Sequence, residues 1–306
     1  MPSKSTKAFK RNSLSDTSNV SGKHDSYHTV EFGDAATFKS TGGTITEPGN
    51  GYRYHFFTDS TQAEQLVVSL PVTYDILVVG GGGGGGGQNG GGGGAGGYRE
   101  FTSKEFTAGS YSIVVGSGGP DSPSNGQGLV GSATTVHHPG GPMVSAGGGY
   151  GGGGSGAQPG GDGGSGGGGR QNTPTSGNIP AGAGNVPPQS PSQGNPGSQG
   201  TADGGGGGGG AGAAGSGGTG GVGRAAFSGD TGIPSDYGTS GPSAGRWFAG
   251  GGSGTRPTTG GGDGGGGGPN TAGTTNTGGG GGGAPNPGTG RAGGSGIVIL
   301  KQLIPT

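Results

Sequence analysis

Eight consecutive glycines, at positions 80–87, follow directly on the apolar stretch Tyr74-Asp75-Ile76-Leu77-Val78-Val79. No turn residue separates the two. The far end mirrors this join, where Gly293-Gly294-Ser295-Gly296 runs straight into Ile297-Val298-Ile299-Leu300. A glycine-rich body thus opens from one strand-like segment and closes into another. Tyr74 to Val79 carries apolar residues at both parities, which predicts a strand buried on both faces.

Composition narrows what the body can be. Glycine supplies 95 of 306 residues, while hydrophobic residues amount to 24%. Such a balance points to a collagen-like chain or to low complexity. Collagen needs glycine at every third position, and the blocks at 204–210 and 264–268 exclude it. A flexible Gly/Ser linker is the plain alternative, because ordering glycine carries the largest backbone entropy loss. Disordered chains are usually rich in charge, whereas charged residues here are only 10% with a net charge of -1. Near-neutrality also argues against a nucleic-acid partner. Cysteine is absent, so disulfides and thiolate chemistry are excluded. No apolar run is long enough for a transmembrane helix, and residues 1–7 lack the apolar core of a signal peptide, so no membrane insertion is expected.

Four regions follow from the pattern. Residues 1–28 form a polar arm that is either a disordered tail or a docking segment. Residues 29–146 read as a β-sandwich base that includes the first glycine run. Its strand candidates lie at 29–32, 36–38, 51–58, 64–70, 74–79, 97–102, 110–115, 132–136 and 142–146. Residues 147–296 alternate glycine blocks with segments rich in Pro, Asn, Ser and Thr, and 297–306 hold the closing strand and tail. The expected fold class is all-β plus polyglycine-II: an antiparallel sandwich, a glycine-rich bundle and essentially no α-helix.

Glycine blocks can fold as helices of the polyproline-II kind, with three residues per turn and no internal hydrogen bonds. Their N–H and C=O groups point sideways, and without a Cβ neighbouring helices can bond backbone to backbone. Each such bond contributes about 0.5–1.5 kcal/mol, against about 1–2 kcal/mol to fix a residue. The terms nearly cancel, so a bundle needs many packed helices and an anchoring fold. Interior positions must then be glycine. Single residues such as Ala95, Ser155, Asp162, Ser165, Ala211 and Asp263 are expected to face outward or lie at an edge.

Several strings carry a resemblance. They are Asp75-Ile76-Leu77-Val78-Val79 into glycines, Gly96-Gly97-Tyr98-Arg99-Glu100, Ser112-Ile113-Val114-Val115-Gly116-Ser117-Gly118-Gly119 and Gly294-Ser295-Gly296-Ile297-Val298-Ile299. Over roughly 40–301 the chain resembles the glycine-rich domain of phage tail-fibre and related virion proteins. Its body is similar to the polyglycine sandwich of T-even-type tail-fibre adhesins. That resemblance implies a virion-surface location and packed helices that present receptor-binding loops. The partners it implies are other virion proteins, met through the arm or the β base, and a host-surface protein or glycan. A homo-oligomer such as a trimer is compatible with it.

Other motifs dissolve on inspection. Gly80 to Gly85 satisfies the dinucleotide pattern only as any six glycines would, with no helix following to receive a phosphate. His137 and His138 are adjacent, so on a strand they point apart, and a turn before Pro139-Gly140 is the plainer reading than a metal site. Asp121, Asp162, Asp203, Asp230, Asp236 and Asp263 stand isolated, as solvated loop acids do. No cofactor, metal or catalytic residue is expected. Phe227, Tyr237, Arg246, Trp247 and Phe248 are the receptor-contact candidates, since aromatics with arginine make adhesive hot spots. The same residues could instead form a small cluster that pins a loop to the bundle. Attachment to a host surface is the expected function. The alternative is a purely structural virion protein, and an enzyme such as a depolymerase lacks any visible cluster of acid, base or nucleophile.

Overall fold

Twelve short strands are present among the residues that the computed structural model describes, which are 40–123, 126–172, 177–255 and 260–304. The polar arm and the strand candidates at 29–32 and 36–38 lie outside them. All the described residues belong to one compact unit. Among the described residues the one helical turn is a 3-10 turn at Ala226–Ser228.

Two five-stranded antiparallel sheets form the base. The strands are β1 (Ser40–Thr41), β2 (Thr44–Thr46), β3 (Tyr52–Phe57), β4 (Glu64–Val68), β5 (Val72–Val79), β6 (Tyr98–Phe106), β7 (Gly109–Val114), β8 (Thr134–Val136), β9 (Met143–Ser145), β10 (Arg224–Ala225), β11 (Trp247–Phe248) and β12 (Ile297–Leu303). One sheet runs β1-β4-β7-β8-β9, the other β2-β3-β12-β5-β6, and β10 pairs with β11 apart from both. The last strand is therefore the central one of its sheet. It lies antiparallel to β5 with Ile297 opposite Val79 and Leu300 opposite Ile76.

Strand alternation sorts the apolar residues into two cores. Tyr74, Ile76, Val78, Val298 and Leu300, with Phe106 of the same sheet, face the other sheet, where they meet Leu66, Ile113 and Val136. Leu77, Val79, Ile297 and Ile299 face the opposite way, against Phe248, Ala249, Ala226 and Ile233. This second face explains the double burial of the 74–79 strand. A sheet with one wet face would have tolerated polar residues at Leu77 and Val79.

The glycine body has the period of three that polyproline-II geometry requires. Gly80, Gly83 and Gly86 donate to Gly97 O, Gly94 O and Gly91 O. Gly81, Gly84 and Gly87 donate to Ser132 O, Leu129 O and Gly126 O. Gly82, Gly85 and Gln88 donate to Gly294 O, Arg291 O and Gly288 O. Those bonds span 2.8–3.2 Å, and each set runs to a different antiparallel neighbour. In return, carbonyls of 81, 84 and 87 accept from Gly148, Gly151 and Gly154, those of 83 and 86 from Gly281 and Ala284, and that of 82 from Gly119. One glycine segment is thus ringed by backbone on all sides. The segment at 91–97 repeats the scheme, with Gly91, Gly94 and Gly97 donating to Gly152, Gly149 and Ala146.

Close approach, rather than backbone angle, is what demands glycine here. A Cβ on Gly83 would overlap the Gly149 carbonyl, and one on Gly84 would stand 2.6 Å from Pro120 O. Reversal between the first two segments falls to Gln88 and Asn89, both left-handed at φ 50 and φ 58, a conformation that Asn tolerates best among non-glycine residues.

The expected placement of single non-glycine residues needs correction. Ser155, Asp162 and Asp263 are exposed, as expected. Ala95, Ala211 and Ser165 are fully buried. Ala95 and Ala211 belong to the second core, where the lattice abuts the apolar face of the sheet and a methyl group fills space that glycine would leave empty.

Candidate binding site

Residues 224–248 leave the lattice at Gly223 and return to it at Ala249. They form a loop laid over the second face of the β3-β12-β5 sheet. Phe248 is fully buried there, and the Tyr237 ring lies flat on Phe56 at 3.9 Å and 2°. Arg246 holds the loop together from within. Its Nε donates to Tyr237 O at 2.8 Å, and its Nη2 donates to Ser235 O at 2.9 Å and Gly238 O at 2.6 Å.

A polar anchor completes the attachment. The Lys301 ammonium of β12 pairs with Asp230 of the loop, both side chains nearly buried. Tyr54 donates to the same carboxylate at 2.8 Å and accepts from Asn50 at 2.8 Å. Lys301 also sits 4.0 Å from the Tyr52 ring centroid and 5.5 Å from that of Phe227. Burial alone would raise the Asp230 carboxyl, but Lys301, the Gly232 amide and the Tyr54 hydroxyl together hold it below the usual value. Burial also holds the Tyr54 phenol well above its own.

Beside this loop lies a cleft of about 580 Å³. Tyr98, Glu100 and Phe101 of β6 form one wall, residues 190–192 a second, and Arg224, Ser228 and Trp247 a third. Glu100 joins the walls, because its Oε1 accepts from the Tyr98 hydroxyl and, at 2.6 Å, from the Phe227 amide. Phe227 itself is left-handed at φ 47 and ψ 48, an uncommon state for a bulky residue that the surroundings must enforce. Trp247 donates from Nε1 to Ser243 O at 3.2 Å, and Gly241 packs so closely on its ring that any Cβ there would overlap it.

The five sequence candidates therefore divide. Phe227, Tyr237, Phe248 and Arg246 pack or staple the loop onto the sheet, and Trp247 lines the cleft. Tyr98 and Glu100, 127 or more residues earlier in the chain, were not among the candidates; the string Gly96 to Glu100 carries the family resemblance but marks no binding role. Arg224 lies three residues before Phe227, and its cross-strand pairing with Phe248 places it at the cleft.

The remaining motifs have structural partners. His138 accepts from the Gly140 amide at 3.0 Å and lies edge-on to Phe106, while His137 meets Ser112 O at 3.1 Å. Asp121 accepts from the Ala292 amide at 2.6 Å and Asp162 from the Ala183 amide at 2.6 Å, so both satisfy lattice backbone. Among the described residues no three His, Asp or Glu side chains gather as metal ligands, and no helix is long and apolar enough to cross a membrane.

A family model described as a glycine-rich domain matches residues 59–302, which takes in both ends of the lattice and both of its anchoring strands. No curated protein matches the chain.

Proposed function

The chain belongs to the glycine-rich domain family, and from that premise we propose that it is a phage virion-surface protein, in a tail fibre, tail tip or capsid fibre, that attaches to a host surface through displayed loops. It acts by binding rather than by catalysis. The observation that carries this reading is the gathering of loops at one end of the lattice. Gly80 and Gly97 sit at the sandwich, so the Gln88-Asn89 reversal lies at the far end. Around it the backbone bonds collect Gly126, Gly154, Gln171, Ala284 and Gly288. Asp121, Pro123, Ser155, Pro159, Pro285, Asn286 and Pro287 there are exposed. Surface loops of this kind tolerate change while the scaffold keeps its geometry.

Binding of the labelled protein to cells of candidate bacterial hosts tests this. Exchange of the far-end loops at 155–159 and 285–287 abolishes attachment in this reading. Retention of full binding after that exchange, and after exchange of 227–248, contradicts it.

A second reading, packing against other virion proteins without a receptor, has one observation in its favour. Val67, Val114 and Val144 stand 44%, 38% and 37% exposed on the strands β4, β7 and β9 of the other sheet. Cells left unbound, together with burial of that face in the particle, would select this reading.

A further inference from the structure

We propose that the cleft between β6 and the 224–248 loop is a saccharide-binding site, with a sugar ring on Trp247 and its hydroxyls on Glu100 and Arg224. The inference concerns the sandwich end rather than the far loops. It rests on the attachment reading only in taking a surface saccharide as the ligand.

Three features of the cleft converge. The first is an indole held in place. Gly241 backs one side of the Trp247 ring and Nε1 is tied to Ser243 O, while the side chain stays half-exposed in the cleft wall. A rigid aromatic plane offers an apolar face to the C–H side of a sugar at little entropic cost.

The second is a carboxylate set in advance. Oε1 of Glu100 is fixed by the Tyr98 hydroxyl and the Phe227 amide. Its other oxygen has no partner among the described residues, although the side chain is exposed at the cleft. That oxygen can accept from a sugar hydroxyl without rearrangement.

The third is an unengaged cation. Arg224 is exposed and lines the cleft, and its guanidinium forms no hydrogen bond or ion pair among the described residues. Arg246, twenty-two positions on in the same loop, has its guanidinium committed to three carbonyls. Structural need therefore accounts for one arginine and not for the other. A planar guanidinium donates in pairs to neighbouring oxygens, which suits vicinal hydroxyls or a sugar carboxylate. The volume of about 580 Å³ lies in the range of small-ligand sites.

Trp247 is the one tryptophan in the chain, so tryptophan emission, excited where tyrosine does not absorb, reports on this cleft alone. The test titrates the full-length protein with a panel of soluble tri- to pentasaccharides built from hexoses, N-acetylhexosamines and hexuronic acids, up to roughly 10 mM. The expected result is a saturable change in Trp247 emission with at least one member, weakened about tenfold or more by Arg224→Ala and by Glu100→Gln. Arg224 is exposed and Gln preserves an acceptor for the Phe227 amide, so unchanged melting temperatures certify that both variants fold. No saturation with any member overturns the proposal, as does saturable binding that neither variant weakens. Cell attachment of the same preparations separates the two readings. Attachment without saccharide binding defeats this inference alone, and saccharide binding without attachment defeats the attachment reading alone.

Discussion

Val79 and Ile297 lie directly opposite each other on neighbouring antiparallel strands, although almost the whole glycine lattice separates them in the chain. Their side chains are both fully buried on the face that the 224–248 loop covers. The lattice is therefore launched and received at a single point of the sheet. Its entropy cost is met while its two ends are already held together. Weakening this join should loosen the lattice as well as the sheet.

Glycine in the lattice should be irreplaceable where the backbone is closest. A side chain at Gly83 overlaps the Gly149 carbonyl, and one at Gly207 overlaps that of Thr219. Neither neighbour is a flexible side-chain end, so the strain has to move main chain. Gly83→Val and Gly207→Val are each expected to destabilise by roughly 3 kcal/mol or more. Asn270→Ala loses one bond to Arg291 and a favourable left-handed residue at φ 55, which costs about 1 kcal/mol. Thermal melting compares the three, and equal silence of all of them would restore the linker reading.

The loop candidates should separate by stability as they do by location. Phe248→Ala removes a fully buried ring and is expected to cost about 3–5 kcal/mol. Trp247→Ala removes a half-exposed ring that faces the cleft and should cost about 1 kcal/mol. Guanidinium chloride unfolding measures both. The reverse order would mean that Trp247, not Phe248, pins the loop.

Acid should destabilise the fold in two stages. The Asp230 carboxyl is depressed in the folded state, so its contribution is complete above the unfolded value of 3.8 and is lost as pH falls through the folded value. His55 acts at higher pH. Burial chiefly holds its imidazole below 6.5, with Arg53 adding to this and the Gly42 carbonyl opposing it. The unfolded chain therefore takes up that proton first, and stability begins to fall as pH drops below 6.5. Melting temperature should decline below 6.5 and again below about 3.8. Asp230→Asn should flatten the second decline while lowering stability at neutral pH by about 3 kcal/mol, because Lys301 is left nearly buried and unpaired. An unchanged acid profile in that variant would assign the second decline to other carboxylates.

Much of this architecture could be read from the residues. Apolar residues at both parities in 74–79 gave away a strand covered on two sides, and the abrupt join to glycine gave away the launch point. The polyglycine blocks implied sideways backbone bonding because no other partner was on offer for those groups. The minimal strands β1, β2, β10 and β11 were not legible, since two or three residues carry no period. Burial of Ala95 and Ala211 was missed for a related reason. Single non-glycine residues are expected on an outer face or at an edge of the bundle, and the sheet turns part of that face into a core. The cleft could not be assembled from sequence at all. It joins Glu100 to Phe227 and Tyr98 to Ala225 through contacts that depend on how the loop folds back.

Amide hydrogen exchange at the first glycine run tests the central claim most directly. If the run is an inner segment of a hydrogen-bonded lattice, the amides of Gly81 to Gly86, each bonded at 2.8–2.9 Å to a neighbouring segment, will exchange as slowly as those of β5 and β12. Exchange at the rate of an unprotected chain, with β5 and β12 still protected, would show that the glycine body is a tethered linker and would contradict the account.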